Sequence, residues 1–241
     1  MTGAVPVPEP EAGTLEETQV RAMFDRIAGV YDLMNAVMTA GMHQRWRERA
    51  VDLARVPSGG RALDVATGTG DLALALERRA GGAAEVIGSD FSEQMLERAR
   101  AKAPGVRFEW ANALELPYAD GSFDAATVGF GARNFADLER GLAEMVRVVR
   151  PGGRVVILEI TSPERPPLAW FFRLWFDRAV PLLGRLAGDP NAYSYLPSSV
   201  RRFPTARALA GKLAAAGLED VRWILTAGGI IALHAGTVGD R

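Results

Sequence analysis

Short apolar runs alternate with helical segments between residues 61 and 160, and this alternation limits the fold more than any other feature of the sequence. The predicted strands are 61–66, 84–90, 106–112, 123–131 and 154–160, and the predicted helices are 71–80, 92–103 and 137–150. Strands joined through such helices make right-handed crossovers, which place them parallel in a doubly wound sheet. Ligands of these sheets bind beyond the carboxyl ends of the strands, so we expect the functional residues in the loops there.

The two ends of the chain predict additions to this sheet. A helical pattern runs from about residue 14 to 55. A helix at 205–216 is followed by strands at about 220–226 and 229–235, and their short connection through TAGG is typical of a hairpin. We therefore expect an α/β fold in which a seven-stranded, mostly parallel sheet has an antiparallel C-terminal edge strand and N-terminal helices.

One domain accounts for most of the 241 residues. Residues 1–13 form a Pro-rich lead without the basic and apolar regions of a signal peptide, and we expect it to be disordered. The domain covers 14–241 and carries a helical insertion at about 164–204, rich in aromatic residues and arginine. No run reaches the ~18 apolar residues that a membrane-spanning helix requires, so the expected location is the cytoplasm.

The composition excludes several kinds of site. The 28 basic side chains are balanced by 29 acidic ones, so net charge does not indicate a nucleic-acid-binding protein. Cysteine is absent, which excludes disulfides, thiolate metal sites and a cysteine nucleophile. With only two histidines, a zinc site is disfavoured, and we expect no metal.

The loop DVATGTGD, residues 64–71, joins the first strand to the first helix of the sheet. Gly68 and Gly70 allow a sharp turn and a close approach to a ligand, and the helix N-terminus offers free N–H groups. The loop also satisfies the loose dinucleotide pattern G-x-G-x-x-G/A, with Asp90 about 20 residues onward. Since a carboxylate there binds ribose hydroxyls in either case, the loop alone leaves a nicotinamide and a nucleoside cofactor open.

Later segments favour the nucleoside cofactor. ANALELPYADGSFD, residues 111–124, places Asn112 just after the third strand, and RVVRPGGRVVILE, residues 147–159, enters the fifth strand through Pro-Gly-Gly. A nicotinamide-dependent reductase is disfavoured because neither Lys102 nor Lys212 belongs to a Tyr-x-x-x-Lys pair.

This order of motifs resembles the class I S-adenosylmethionine-dependent methyltransferases, which have a Rossmann-like fold. Within that class the chain resembles the ubiquinone/menaquinone biosynthesis C-methyltransferase family, from about residue 20 to 236. The segments that carry the resemblance are VYDLMNAVMTAGMHQRWR (30–47), LDVATGTGD (63–71), SDFSEQML (89–96), NALELPYADGSFDAATVGFGARN (112–134), VRPGGRVVILEITSP (149–163), YSYLPSSVRRFP (193–204) and LTAGGIIALHAG (225–236). The FGxRN and Y-x-Y-L-P-x-S patterns are the most specific of these.

The resemblance implies S-adenosylmethionine as the cofactor and S-adenosylhomocysteine as its product. It implies that Thr69 contacts the amino-acid part, that Gly68 and Gly70 shape the turn, and that Asp64 supports them. Asp90 would hold the ribose diol through two charge-assisted hydrogen bonds. Further implied cofactor-binding residues are Phe91, Asn112, Ala113 and Gly129. Some members of the family carry Ser at the last of these positions, so a hydroxyl contact is missing here.

The segment VGFGARNF, residues 128–135, ends an apolar strand on Arg133 and Asn134. The resemblance implies methyl transfer to an aromatic carbon of a hydroquinone, and a phenolate is a much better carbon nucleophile than a neutral phenol. Our hypothesis is that Arg133 holds the phenolate and that Asn134 positions the same oxygen. Asn134 could instead cap a helix that begins near Phe135. The carboxylates that could pair with Arg133 instead are Asp120, Asp124 and Asp137.

The general base is left open among four side chains that the resemblance places around the cleft. They are His43, Tyr31, Asp32 and Glu159. His43 is the one whose ordinary pKa lies near neutrality, which makes it the predicted catalytic member of the set.

The insertion PPLAWFFRLWFDRAVPLLGRLAG, residues 166–188, has two apolar helical stripes. One stripe must cover the sheet or the cleft, and the other must face a prenyl tail, a membrane surface or another subunit. The expected substrate-binding residues are Tyr31, Phe130, Phe171, Trp175 and Tyr195.

The function implied is C-methylation of a prenylated quinol, with demethylmenaquinol to menaquinol as the leading reaction. The alternative is a C- or O-methyltransferase for another phenolic or polyketide-like metabolite. Peripheral contact with the cytoplasmic face of a membrane and a homodimer are left open as partners, and no nucleic acid is expected.

Overall fold

The fold is taken from a computed structural model, which describes residues 17–27, 39, 41–163, 166, 170, 172, 174 and 197–240. The helices are α1 (Glu17–Ile27), α2 (His43–Ala54), α3 (Asp71–Ala80), α4 (Glu93–Lys102), α5 (Leu138–Val148) and α6 (Ala206–Ala215). The strands are β1 (Arg61–Val65), β2 (Glu85–Asp90), β3 (Arg107–Trp110), β4 (Phe123–Gly129), β5 (Val149–Ile160), β6 (Leu218–Thr226) and β7 (Ile231–Val238). Short 3-10 turns cover Ala132–Asn134 and Ala227–Gly229.

The strands form one seven-stranded sheet in the order β3-β2-β1-β4-β5-β7-β6. Strands β1 to β5 pair in parallel, whereas β7 is antiparallel to both β5 and β6. The predicted mostly parallel, doubly wound sheet with an antiparallel C-terminal strand is therefore confirmed. One detail differs, since β7 lies between β5 and β6 and the edge of the sheet is β6.

The β6–β7 connection is a tight turn, as the TAGG sequence predicts. Ala227, Gly228 and Gly229 all have positive φ angles, of 49°, 68° and 91°. Only glycine adopts this backbone region without a steric penalty, which explains two successive glycines there.

Strand β5 begins earlier than predicted. It starts at Val149 rather than at residue 154 and contains the Pro-Gly-Gly sequence. The pairing with β4 shifts register between Phe123 and Ala125, because Gly152 has a φ of 73° and the chain bulges there. The predicted turn is thus an irregularity inside the strand.

The N-terminal and insertion predictions are only partly within the described residues. Helices α1 and α2 fall inside the predicted helical stretch 14–55, while 28–38 lie outside the described part. The predicted lead 1–13 and most of the insertion 164–204 also lie outside it.

A buried apolar layer covers each face of the sheet. One layer packs the sheet against α2, α3 and α4, with Ala62 and Leu158 among its members. The other packs it against α5 and α6, with Leu63 and Ile157 among its members. Successive strand residues therefore serve opposite layers, as the twofold alternation of side chains in a strand requires.

His234 on β7 is a buried polar group in the second layer. Its Nε2 lies 2.8 Å from the carbonyl oxygen of Ala206, and its ring stacks on Trp223 with centroids 6.2 Å apart. Burial lowers the pKa of His234 below its ordinary value. The folded protein therefore holds this imidazole neutral at pH values where the unfolded chain already binds a proton.

The fold is expected to lose stability through His234 as the pH falls below about 6.5, the ordinary pKa of histidine. His234→Gln keeps a donor toward Ala206 but removes the titration. The loss of unfolding free energy between pH 7 and pH 5 should be about 1 kcal/mol smaller in the variant. Urea unfolding at both pH values, with pH 8 as the reference, measures this. If the unfolding free energies of the unaltered protein and the variant differed by the same amount at pH 7 and pH 5, His234 would not be the group responsible for the loss of stability.

Candidate cofactor cleft and active site

A cleft lies at the carboxyl ends of β1, β2 and β4, where parallel doubly wound sheets bind their ligands. Nine of the predicted site residues line it. They are Gly68, Thr69, Asp90, Phe91, Asn112, Ala113, Gly129, Phe130 and Asn134. The cleft is therefore continuous from the loop after β1, past the ends of β2 and β3, to the turn after β4.

The glycine loop is held from below by its first residue, Asp64. The Asp64 carboxylate accepts hydrogen bonds from the Thr67 hydroxyl at 2.6 Å and the Thr127 hydroxyl at 2.7 Å. Burial raises the pKa of Asp64 to about 6. Asp64 and Gly70 do not line the cleft, so their geometry is that of a support. A Cβ on Gly70, where φ is 81°, would lie 2.8 Å from the Phe108 ring.

Asp90 ends β2 with its carboxylate at the cleft. One oxygen accepts the backbone N–H of Gly68 at 2.8 Å and the other accepts that of Ser92 at 2.9 Å. These bonds fix the carboxylate plane and tie the end of β2 to the glycine loop. Burial, the largest influence, raises the pKa of Asp90 to about 6. Each carboxylate oxygen can accept a second donor, which is the geometry that a vicinal diol requires.

The wall after β3 is built by a turn that Asn112 holds closed. The side-chain oxygen of Asn112 accepts the backbone N–H of Leu114 at 2.9 Å, which is an Asx turn. Ala113 and Leu114 line the cleft beside this turn, and Phe91 and Met95 line it from the α4 side. The result is an apolar slot with polar edges, suited to a flat heterocycle.

The wall after β4 brings the backbone close to the cleft. Phe130 has a φ of 61°, which a bulky residue rarely adopts, and its backbone N–H bonds the Leu158 carbonyl at 2.8 Å. A Cβ on Gly129 would lie 3.1 Å from Leu72. A serine at position 129 would thus require Leu72 to move, which gives a packing reason for glycine in this chain.

Arg133 forms a buried ion pair with Glu159 at the end of β5. Its Nη1 lies 2.7 Å from Glu159 Oε1 and 2.5 Å from the Phe130 carbonyl oxygen. Only 8 % of the Arg133 side chain and 1 % of that of Glu159 are exposed. The guanidinium therefore lies inside the protein, beside the β4 wall, although Arg133 is not among the residues that line the cleft.

The alternative partners considered for Arg133 are engaged elsewhere. Asp120 pairs with Arg147 at 2.8 Å, and Asp124 pairs with Arg150 at 2.7 Å. Asp137 accepts the backbone N–H of Arg140 and caps α5. The alternative in which Arg133 pairs with one of these three carboxylates is therefore wrong, since its ion pair is with Glu159.

Asn134 closes the 3-10 turn Ala132–Asn134 and lines the cleft. The alternative in which it caps a helix near Phe135 is wrong, since α5 begins at Leu138 and its cap is Asp137. The structure therefore brings Asn134 and Phe130 together in the cleft, with the Arg133–Glu159 pair directly behind them.

A model of the ubiE/COQ5 methyltransferase family matches residues 13–238. The chain belongs to the ubiE/COQ5 methyltransferase family. It is 50 % identical over 224 residues to the demethylmenaquinone methyltransferase of Thermus thermophilus, which covers 91 % of this chain and all of that protein. It is 48 % identical over 214 residues to the demethylmenaquinone methyltransferase of Deinococcus radiodurans, covering 87 % of this chain and 88 % of that protein.

Solved structures with low sequence identity share the fold of this ubiE/COQ5 family member. An S-adenosylmethionine-dependent methyltransferase from Aquifex aeolicus has a TM-score of 0.60 at 16 % identity, over 93 % of this chain and 100 % of that one. The cyclase SpnF has a TM-score of 0.67 at 20 % identity, over 93 % of this chain and 97 % of that one. These likenesses establish the Rossmann-like architecture alone.

His43 is placed away from the cleft in this ubiE/COQ5 family member. It begins α2, and its Nδ1 lies 2.7 Å from the Thr39 hydroxyl. It lines a neighbouring groove between α2 and α3. The structure does not bring it together with Asn134, so its role as a base remains a prediction.

Four predicted substrate residues and two base candidates, with Tyr31 in both sets, lie outside the described part of the chain. They are Tyr31, Asp32, Phe171, Trp175 and Tyr195. Within the described residues, no group of three His, Cys, Asp or Glu side chains is arranged to hold a metal ion. In that same part, no helix has the length and apolar character needed to cross a bilayer.

Sequence reasoning missed Arg47, Asp71 and Leu72 as lining residues of the cleft. Asp71 and Leu72 directly follow the glycine loop, so the loop pattern could have indicated them. Arg47 comes from α2, outside the strand and loop motifs, and no spacing in the sequence relates it to that loop.

Proposed function

We propose that this ubiE/COQ5 family member catalyses S-adenosylmethionine-dependent C-methylation of a prenylated quinol, with demethylmenaquinol as the leading substrate. The observation that carries the proposal is the continuity of one cleft from Asp90 to Asn134. Asp90, proposed to bind the nucleoside, and Asn134, which has the buried Arg133 guanidinium behind it, thus line the same cleft. The names of the relatives from Thermus and Deinococcus support the choice of substrate.

The lining residues fit S-adenosylmethionine. Asp90 presents a fixed carboxylate for the ribose diol, and the slot formed by Phe91, Met95 and Leu114 suits the adenine ring. A Cβ added to Gly68 would meet nothing within 4 Å, so the loop leaves open space where the backbone faces a ligand. When bound, the cofactor supplies an electrophilic methyl group on a positively charged sulfur.

In this proposal Asn134 contacts the oxygen of the quinol ring, and Arg133 acts on that oxygen from behind the cleft lining through its positive charge. Asn134 lines the cleft and can donate to or accept from that oxygen. A guanidinium carries a fixed positive charge, and in a dry site it stabilises a phenolate more than it would in water. Lowering the pKa of the hydroxyl raises the electron density on the adjacent ring carbon, which accepts the methyl group. The ring carbon then gives its proton to a base, for which His43, Tyr31 and Asp32 are the candidates, and the ring becomes aromatic again.

Glu159 is proposed as a positioning residue rather than the base. It accepts hydrogen bonds from Arg133 Nη1 at 2.7 Å, the Arg133 backbone N–H at 3.2 Å and the Ile160 backbone N–H at 2.7 Å. Three donors occupy its carboxylate, and Glu159 is not among the residues that line the cleft, so it is not placed to act on the quinol ring. The same bonds fix the turn that carries Arg133 and Asn134.

The direct test is to incubate the protein with a radiolabelled methyl donor and a panel of quinols with and without a prenyl tail. Label in a carbon-methylated prenylated naphthoquinol is the expected result. Label on an oxygen, or only in an unprenylated phenol, would favour the alternative methyltransferase for another phenolic or polyketide-like metabolite. Transfer to none of these acceptors, by protein that binds the cofactor, would contradict the proposal.

The finer proposal on partners is a peripheral membrane contact on the cytoplasmic face. Trp170 and Leu174 are 63 % and 55 % exposed, while Phe172 between them is buried against Val200. Exposed aromatic and aliphatic side chains anchored in this way suit the interface of a bilayer. A contact between two copies in a homodimer would cover the same side chains.

These two partners can be separated by experiment. In a liposome flotation assay, the double variant Trp170→Ser/Leu174→Ser should no longer float with the liposomes. The control Trp110→Ser, which alters an exposed tryptophan on the edge strand β3, should float like the unaltered protein. A flotation equal to that of the unaltered protein would contradict membrane contact. A change of molar mass in light scattering would assign the surface to the homodimer.

A further inference from the structure

A second groove lies where the carboxyl end of β5, the start of α6, strand β6 and the β6–β7 turn meet. It has a volume of about 460 Å³ and shares no described lining residue with the cofactor cleft. None of its described lining residues is acidic. The lining includes Thr161, Ser162, Pro163, Arg207, Trp223 and Leu225.

The first turn of α6 places a cation at the positive end of a helix dipole. Arg207 is the second residue of this helix, which has no acidic residue in its first turn. The helix cap Thr205 accepts the backbone N–H of Ala208, and Arg207 has no carboxylate partner among the described residues. The first N–H groups of a helix and a guanidinium both attract negative charge, so this end of the groove suits an anion.

Thr161 adds a polar group whose hydrogen-bonding capacity is not used within the described chain. Its backbone N–H bonds the Ile230 carbonyl oxygen at 2.7 Å, and only 4 % of the residue is exposed. Its hydroxyl oxygen is buried and has no hydrogen-bond partner among the described residues. Buried hydroxyls are seldom left so, because they give up their hydrogen bonds to water on folding. Since Thr161 lines the groove, an oxygen atom of a ligand there would supply the partner.

The opposite wall of the groove is apolar and partly exposed. One face of the Trp223 ring stacks on His234, with centroids 6.2 Å apart, and 37 % of Trp223 remains exposed. Leu225, two residues further along β6, is 53 % exposed. The groove therefore combines donors for an anion with a wall for hydrocarbon, which is the composition expected of a site for an amphiphile.

The groove lies at the same end of the molecule as the exposed side chains proposed to contact a membrane. Gly229 lines the groove, and the next residue, Ile230, packs against Phe172. Trp170 and Leu174 lie two residues before and after Phe172. A molecule whose hydrocarbon part is in a bilayer touched by these two side chains can thus place its polar end in the groove.

We propose that this groove binds the phosphate of a phospholipid head group, with Arg207, the N-terminus of α6 and the Thr161 hydroxyl as donors. The inference rests on the proposed membrane contact but not on the cofactor or the quinol. Trp223 and Leu225 favour a lipid over a free phosphate ion, because the ion has no apolar part to place against them. Binding of the head group would fix the orientation of the protein on the bilayer.

The test is flotation with vesicles of phosphatidylcholine and phosphatidylglycerol, whose head group exposes an anionic phosphate. We expect Arg207→Ala to raise the lipid concentration for half-maximal flotation about tenfold, and Thr161→Val to raise it about fivefold. Thr161→Val keeps the size of the side chain and removes only the hydroxyl. The general attraction between the charges of the protein and those of the vesicle is therefore the same in this variant.

The matched control is Arg98→Ala, which removes an exposed arginine of α4 and should leave the half-maximal concentration unchanged. Urea unfolding checks that each variant is folded. An equal loss in Arg98→Ala and Arg207→Ala would show that only general charge attraction acts. Unchanged flotation of Thr161→Val would remove the hydroxyl from the site. Either result would overturn the inference, as would the absence of flotation by the unaltered protein.

Two further measurements test the other occupants. Calorimetry compares inorganic phosphate with dihexanoylphosphatidylglycerol below its micelle concentration, and the short-chain lipid should bind more tightly. Equal binding of both, lost in Arg207→Ala, would assign the groove to free phosphate and overturn the lipid assignment. A dimer in light scattering that Leu225→Ser dissociates would assign the groove to a second copy and overturn it too.

The result for the insertion is separate from the result for the groove. If Trp170→Ser/Leu174→Ser floated like the unaltered protein while Arg207→Ala and Thr161→Val lost flotation, the proposed contact through the insertion would fail and the head-group site would stand. The reverse result would overturn the head-group site and leave the membrane contact in place.

Discussion

Asp90→Asn is expected to weaken the binding of S-adenosylhomocysteine by about 100-fold. Two hydrogen bonds from a ribose diol to a carboxylate contribute about 1.5 kcal/mol each, and the amide offers one acceptor oxygen and no charge. The amide nitrogen would also face the backbone N–H of Gly68 or Ser92, both of which now donate to the carboxylate. Isothermal calorimetry with the purified protein measures the change directly.

The matched control is Asp52→Asn, which neutralises an exposed carboxylate on α2 that pairs with Arg79. It should leave the Kd of S-adenosylhomocysteine unchanged. If Asp90→Asn bound the ligand as tightly as this control does, the diol would have to be held elsewhere and the orientation assigned to the cleft would be wrong.

The same carboxylate predicts a pH dependence of cofactor binding. Burial raises the pKa of Asp90 to about 6 in the free protein, so the group takes up a proton as the pH falls through that value. The diol requires the ionised form, and the Kd should therefore rise by up to tenfold for each pH unit below about 6. It should be flat above pH 7. A Kd that is constant between pH 5 and pH 7.5 would show that Asp90 stays ionised or does not bind the diol.

Removing the Arg133–Glu159 pair is expected to lower kcat by about 100- to 1000-fold, the loss typical of removing a group that stabilises a developing anion. The variant to use is Arg133→Gln/Glu159→Gln, since Arg133→Gln alone would leave the buried Glu159 carboxylate without its cation and would destabilise the fold by about 3–5 kcal/mol. The measurement is the rate of label transfer to the quinol under saturating conditions. The Kd of S-adenosylhomocysteine should change by less than about threefold.

The single variant Glu159→Gln distinguishes two roles for the ion pair, which are holding the turn in place and stabilising the phenolate through Arg133. It keeps the guanidinium and the shape of Glu159, although it leaves the buried Arg133 without its anion, so its unfolding free energy is measured alongside. If Arg133 itself stabilises the phenolate, this variant should retain much more activity than the double variant. Equal activities of Glu159→Gln and the double variant would assign the pair to holding the turn in place. Unchanged turnover in the double variant would end the proposed role of Arg133.

The elements of the sheet were predictable because their signals are local. The apolar run of β1 and the helical period of α3 lie in consecutive residues, and the loop between them carries its glycines at adjacent positions. The same holds for the β6–β7 turn. Asp90 was also predictable, since a strand that ends on a carboxylate about 20 residues after a glycine loop has few other uses.

The pairing of charged groups was not predictable to the same extent. Arg133 had Asp120, Asp124 and Asp137 nearby in the sequence, but its partner is Glu159, 26 residues away on the next strand. The choice depends on β4 and β5 running parallel, which brings the ends of both strands to one edge of the sheet. Asn134 likewise had an equally good local role as a cap, which Asp137 takes instead.

The sequence by itself determined the α/β class, the extent of most elements and the loop that would hold a nucleoside, because hydrophobic period and glycine placement act over a few residues. Only the tertiary structure decided which carboxylate pairs with Arg133 and that β7 lies between β5 and the edge strand β6. It also decided that Arg47 of α2 reaches the glycine loop. Those contacts join residues far apart in the chain, and burial in a common core selects among partners that local sequence leaves equivalent.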